Sequence, residues 1–146
     1  MSSRHNSVRE KYLAELSEQN RLLHDTANKL VFNFKFFQSG SDYGQSFEEW
    51  EREAILADLN NKLKIFSDKT KHDLLQDGTL EIYKQYPRGS QFKKPNALKS
   101  PLINWARLRI TGRRRLIGFF MENSESKNIF HVVFLDKKHE FAPSSL

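Results

Sequence analysis

Ile103-Asn-Trp-Ala-Arg-Leu-Arg-Ile-Thr-Gly-Arg-Arg-Arg-Leu-Ile-Gly-Phe-Phe120 is the stretch that decides the fold. Its two arms, 103–110 and 113–120, are rich in branched, aromatic and leucine side chains, and Thr111-Gly112 supplies turn chemistry between them. The spacing predicts a β-hairpin. Side chains two apart on a strand share a face, so the loop length fixes which residues meet. An odd, three-residue loop with Gly112 left-handed puts Arg107, Arg109, Arg113 and Arg115 on one face, with Trp105, Ile117 and Phe119. Leu108, Ile110, Leu116 and Phe120 then form the opposite face and read as core. A two-residue loop would set Leu108 opposite Arg115 and turn unpaired guanidinium groups toward the core, which is costly. The odd loop is therefore expected, with Arg114 peripheral at the turn.

Working outward, Ile129-Phe-His-Val-Val-Phe-Leu135 is nearly all apolar, as a central strand buried on both faces would be. Leu80–Tyr86 reads as a strand or extended segment. Upstream, residues 7–30 read as an amphipathic helix capped by Asn6 or Ser7, with Glu10 three after Ser7. Its apolar stripe is Val8, Tyr12, Leu16, Leu23, Ala27 and Leu30, and packing on its own domain is the expectation. Val31–Phe37 alternates, with Phe32, Phe34 and Phe36 facing one way and Asn33 and Lys35 the other. That is a strand with one wet face.

Ser46-Phe-Glu-Glu49 is a second capping box. It opens a long helix with the stripe Phe47, Trp50, Ala54, Leu59, Leu63 and Phe66. Ser67–Gly78 is a short helix ended by Gly78. Helices followed by a run of strands indicate an α+β fold. The expected architecture is a small, antiparallel-rich twisted sheet with helices on one side. The domain spans residues 31–146, and residues 1–30 form an N-terminal helical extension.

The charge is uneven. Residues 1–78 carry 11 Lys+Arg against 13 Asp+Glu, giving −2; residues 79–146 carry 13 against 5, giving +8, and the sum is the overall +6. Such localised charge is the footprint of a polyanion binder. The chain has no cysteine, which excludes disulfides, thiolate metal sites and a cysteine nucleophile. No apolar run approaches the ~18 residues of a membrane span, and the polar N-terminus lacks the apolar core of a signal peptide, so a cytoplasmic protein is expected. The histidines have no zinc-site spacing, and Glu48, Glu49, Glu51 and Glu53 suit a helix N-terminus rather than a metal. Neither a metal nor a cofactor is expected.

Five arginines within nine residues make a dense positive surface. Arginine is always charged and forks onto phosphate oxygens. Trp105 beside them is placed to stack on a base. Arg88, Lys93, Lys94 and Lys99 punctuate a basic loop suited to tracking a phosphate backbone. Lys137, Lys138 and His139 follow the last strand. The opposing reading is that some of these arginines pair with Glu48–Glu53 or with a partner's acids.

Leu108-Arg109, Gly112, Arg115-Leu116-Ile117 and Val132-Val-Phe-Leu135 followed by Lys137-Lys138-His139 together resemble the trace of the RelE/ParE-type toxin superfamily, over roughly residues 31–141. The resemblance implies a β-α-α-β-β-β arrangement, a bacterial or phage origin and an antitoxin partner. It also implies metal-independent cleavage of mRNA, often on the ribosome, or in some relatives poisoning of DNA gyrase. Two departures stand out: the helical extension, and Phe141 and Ala142 where nuclease members often offer a tyrosine.

On this reading the RNA 2′-hydroxyl attacks the adjacent phosphate. Arg107, Arg109, Arg113 and Arg115 stabilise the phosphorane, and His139 is the first candidate for proton transfer. Tyr83 and Tyr86 are alternative acids or stacking groups. Arg114, Lys137 and Lys138 join the phosphate-binding set. The alternatives are a non-catalytic nucleic-acid-binding module and a toxin that acts by binding a protein.

Overall fold

The computed structural model describes residues 2–25, 28–122, 125 and 127–143. In chain order the elements are α1 (Ser2–Asp25), β1 (Val31–Asn33), α2 (Phe47–Arg52), α3 (Leu56–Phe66), α4 (Lys71–Gln76), β2 (Leu80–Lys84), β3 (Ile103–Thr111), β4 (Arg114–Met121) and β5 (Ile129–Asp136). The strands form one mixed sheet in the order β1-β5-β4-β3-β2. Only the β1–β5 pair is parallel; the other three are antiparallel. The chain is an α+β protein.

The hairpin faces follow the alternation of the sequence. Leu108 pairs with Leu116, Arg107 with Ile117 and Arg109 with Arg115. The loop differs from the expected one. Thr111 pairs with Arg114 around Gly112-Arg113, and a register shift between Arg109 and Thr111 supplies the odd residue. A tight turn plus one bulged residue thus gives the same facing as an odd loop. Gly112 takes the left-handed conformation at φ +53.

Two apolar clusters sandwich the sheet. On one face Leu108, Ile110, Leu116 and Phe120 meet Trp50, Leu59, Phe66 and Leu74 of the helices. On the other, Trp105, Ile117, Phe119 and Phe134 are covered by Phe92 and Leu98 of the 85–102 segment and by Phe141. Helices α2, α3 and α4 therefore pack on one side. The second face is closed by irregular chain and an aromatic cluster in which Phe141 touches Tyr83, Tyr86, Phe92, Trp105 and Phe134.

Three elements depart from the sequence reading. Strand β1 stops at Asn33, whose side-chain oxygen accepts the Lys35 amide at 2.9 Å. That local bond turns the chain out of the sheet. The phenylalanines therefore diverge: Phe32 packs on Phe66 and Phe130, Phe34 on Phe47, and Phe36 on Phe119 and His131 across the sheet.

The expected long helix is two helices, although Ser46 caps the first by accepting the Glu49 amide at 3.1 Å. It breaks at Ala54, which is left-handed at φ +60. Ile55 N donates to Trp50 O and Ala54 N to Glu51 O, which is a Schellman ending made with alanine in place of glycine. Trp50 and Ile55, both buried, provide its apolar contact.

The N-terminal helix runs Ser2–Asp25 rather than 7–30, so Asn6 and Ser7 are interior to it and cap nothing. Residues 6–21 are exposed, including Val8, Tyr12, Leu13 and Leu16. This stretch does not pack on the domain, contrary to expectation. The side chain of Leu23 and all of Ala27 lie outside the described residues. Leu30 belongs to the sheet side of the boundary: it is buried in the core, and its amide bonds Lys69 O. Among the described residues no helix is long and apolar enough to cross a membrane.

Candidate nucleic-acid interface

Strands β3 and β4 present their odd-numbered residues away from the helices. Toward the hairpin end this face changes from aromatic to cationic. Arg109 and Arg115 stand directly opposite each other. Like charges at that spacing oppose folding of the sheet. Burial, then the charges of Arg107 and Arg109, push the Arg115 guanidinium pKa below its usual value. Its Nη1 donates to the carbonyls of Gly112 at 2.6 Å and Arg114 at 3.1 Å, while its buried Nε has no partner. Arg109 and Arg113 are exposed.

The segment after β5 completes the site. Asp136 is 1% exposed and lies across from Arg115 on β5. Its carboxylate accepts the amides of Glu140 and Phe141, each at 2.9 Å. These bonds fold residues 136–141 into a turn, and buried Phe141 anchors it. Burial nevertheless raises the Asp136 pKa, against the bonds from Glu140 and Phe141 and the charge of His139. Within the turn His139 is left-handed at φ +60. The result is a cleft of about 380 Å³ lined by Arg113, Arg115, Lys138, His139 and Pro143. Four of the anticipated residues meet there, and among the described residues no carboxylate side chain lines it. Tyr83 stands beside this group: burial raises its pKa most, followed by the charge of Glu81, against the lowering effect of Arg107 and Arg115.

Other anticipated residues are placed elsewhere. Arg107 is mostly buried: its Nη2 donates to Glu81 at 2.9 Å, and its Nη1 donates to the carbonyls of Gly78 and Thr79. It holds β2 to β3, with its charge paired to Glu81. Trp105 is buried under the aromatic cluster, 2% exposed, and presents no face for stacking on a base. Tyr86 is likewise structural: its hydroxyl donates to Phe92 O at 2.6 Å, and burial pushes its pKa up to about 12. Arg114 turns to the helix face, donating to Thr111 Oγ1, with Asp58 3.9 Å away. Lys137, also on the helix side, pairs with Glu49 and Glu53. The acidic helix thus takes a lysine from the tail, and no arginine of the hairpin pairs with Glu48–Glu53 among the described residues. Arg88 and Lys93 are exposed on the 85–102 segment and do not line the cleft, whereas Lys94 and Lys99 line a second one. His131 stacks on Phe119 within the sheet and is not near the cleft residues.

Sequence reasoning missed Asp136, which positions His139, and Glu81, which removes Arg107 from the surface. The Glu81 contact depends on the β2–β3 pairing, which a single sequence does not display, whereas the Asp136 bonds are local, to amides four and five residues on, and leave no periodic signal. Among the described residues there is no group of three or more metal-ligating side chains.

Fold and site together define an α+β domain with a cationic cleft on the side of its sheet away from the helices. No family model, curated protein or solved structure matches the chain.

Proposed function

We propose that this chain binds RNA and cleaves it without a metal, in the manner of RelE/ParE-type toxins. The observation that carries the reading is the convergence of Arg113, Arg115, Lys138 and His139 on one cleft that no carboxylate side chain lines among the described residues. Arg115 supports it further: it faces Arg109 directly across the β3–β4 pair, and the charges of Arg107 and Arg109 bear on it. A phosphate would relieve that repulsion. The chain order β1, then α2 to α4, then β2 to β5 keeps the strand–helices–strands succession of the toxin fold, with one helix and one strand more besides α1.

In this reading Arg113, Arg115 and Arg109 hold the non-bridging oxygens of the scissile phosphate. His139 accepts the proton of the 2′-hydroxyl. The 2′-oxygen forms its bond to phosphorus as the bond to the 5′-oxygen breaks, and that oxygen leaves protonated by Lys138 or by water. The products are a 2′,3′-cyclic phosphate and a 5′-hydroxyl. The target is mRNA, including mRNA on the ribosome. The natural antagonist is an antitoxin whose acidic side chains cover the same cleft.

One observation favours a non-catalytic RNA-binding module instead: no hydrogen bond orients the His139 ring among the described residues. Incubating purified protein with RNA in EDTA and sequencing the ends separates the two. Cleavage leaving 5′-hydroxyl ends, abolished by Arg115→Ala, supports the enzyme. Salt-sensitive binding with intact RNA supports the module. The absence of both removes the RNA reading.

A further inference from the structure

A second cationic cleft, of about 320 Å³, lies at the other end of the same sheet face, and Lys84, Lys94 and Lys99 line it over the edges of Tyr86, Ile103 and Trp105. Among the described residues no carboxylate lines it, and none of the described ion pairs involves these lysines. Lys84 is placed there at a conformational cost. The pairing of β2 with β3 shifts register between Ile82 and Lys84, and Lys84 is left-handed at φ +67. A bulge of this kind re-aims a side chain. A residue other than glycine in that conformation costs about 1 kcal/mol. Glycine would meet the backbone requirement freely, yet a lysine that lines the cleft is held there.

The two clefts are in line. Lys84 pairs with Trp105, four residues before Arg109 on β3, and Arg109 pairs with Arg115 of the first cleft. Four strand residues span about 13 Å. At about 3.4 Å per stacked nucleotide, that is roughly four nucleotides along one strand.

We infer that Lys84, Lys94 and Lys99 form a second phosphate subsite that holds a single RNA strand about four nucleotides from the Arg115 cleft. The inference rests on the RNA reading above and adds a length requirement to it: very short strands fill one cleft only, and longer ones fill both.

The test uses full-length protein and labelled 2′-O-methyl oligouridines of about three and about eight nucleotides, which cannot be cleaved at the 2′-position. Binding is followed by anisotropy over a salt series. The wild type should hold the longer strand about tenfold tighter than the shorter. The triple variant Lys84→Gln/Lys94→Gln/Lys99→Gln should lose that difference, keep its affinity for the short strand, and show a salt slope smaller by about 2. All three residues lie outside the core, and an unchanged circular dichroism spectrum checks the fold. The subsite is overturned if the variant binds the long strand as tightly as the wild type does, and its single-strand character is overturned by equal affinity for a duplex of the same length. If the wild type binds neither strand, the RNA reading falls along with the subsite.

Discussion

Arg107 and Arg109 are two residues apart on one strand and face the same way, yet the structure gives them opposite roles. Replacing each with alanine should separate those roles. Arg107 makes three hydrogen bonds, to Gly78 O, Thr79 O and Glu81. Thr79 O keeps a second partner, the Arg109 amide at 2.9 Å, so losing that bond costs little. Glu81 is 53% exposed, so the ion pair is screened and contributes about 0.5 kcal/mol. The Gly78 carbonyl and the buried aliphatic stem contribute about 1.5 kcal/mol more. The total for Arg107→Ala is about 2 kcal/mol, or roughly 6 to 8 °C in Tm for a chain of this size. Arg109 is exposed and faces a like charge, so Arg109→Ala should leave stability within about 0.5 kcal/mol of wild type. Urea denaturation with RNA binding on the same samples reads both quantities. Folded Arg107→Ala should bind RNA nearly as wild type does, and Arg109→Ala should bind weakly. If Arg109→Ala is the destabilised variant, or if Arg107→Ala loses RNA affinity while retaining stability, the division of the cluster is wrong.

Ala54→Gly should stabilise the protein by about 1 kcal/mol, read as a higher urea midpoint at unchanged m, because the left-handed ending of α2 carries a Cβ penalty. His139→Gly should stabilise by a similar amount while abolishing RNA cleavage; retained cleavage would exclude His139 from proton transfer. Gly118→Ala should destabilise strongly, since a Cβ there would lie 2.1 Å from His131 O; a wild-type urea midpoint would contradict the close β4–β5 approach. The raised pKa of Asp136 sets a pH signature. A raised carboxyl contributes stability that is complete below the ordinary value of about 3.9 and is lost as pH rises through the folded-state pKa. The stability of wild type relative to Asp136→Asn should therefore fall as pH rises above that value; a difference that does not change with pH would remove the burial argument.

What the sequence conveyed depended on range. Alternation across a two-arm hairpin is local, so the facing of Leu108, Leu116, Arg109 and Arg115 was readable even though the turn itself was not. The early end of β1 was also local, but the Asn33–Lys35 bond competed with a strong phenylalanine alternation and went unread. At Ala54 the apolar period continues through the break, so periodicity alone favours a single helix; burial of both Trp50 and Ile55 decides otherwise. Trp105 and Arg107 share the wet face by alternation, yet non-local partners cover them: Phe141 and Phe92 for one, Glu81 of an edge strand for the other. In the same way, Lys137 follows a strand that reads as part of the basic surface, but the chain turns at Asp136 and delivers it to Glu49 and Glu53.

A phosphate seated against Arg115 and its neighbours would be reported by the arginine side chains themselves. Nitrogen-15 NMR of the arginine Nε–H groups, followed while a 2′-O-methyl oligouridine is titrated in, is the most direct measurement. The Nε signals of Arg115, Arg113 and Arg109 should shift together and saturably, that of Arg115 most because its side chain lines the cleft opposite Arg109, while the signal of Arg107, held by Gly78, Thr79 and Glu81, stays in place. An unmoved Arg115 signal at saturation, or shifts confined to Arg88, would contradict that seating.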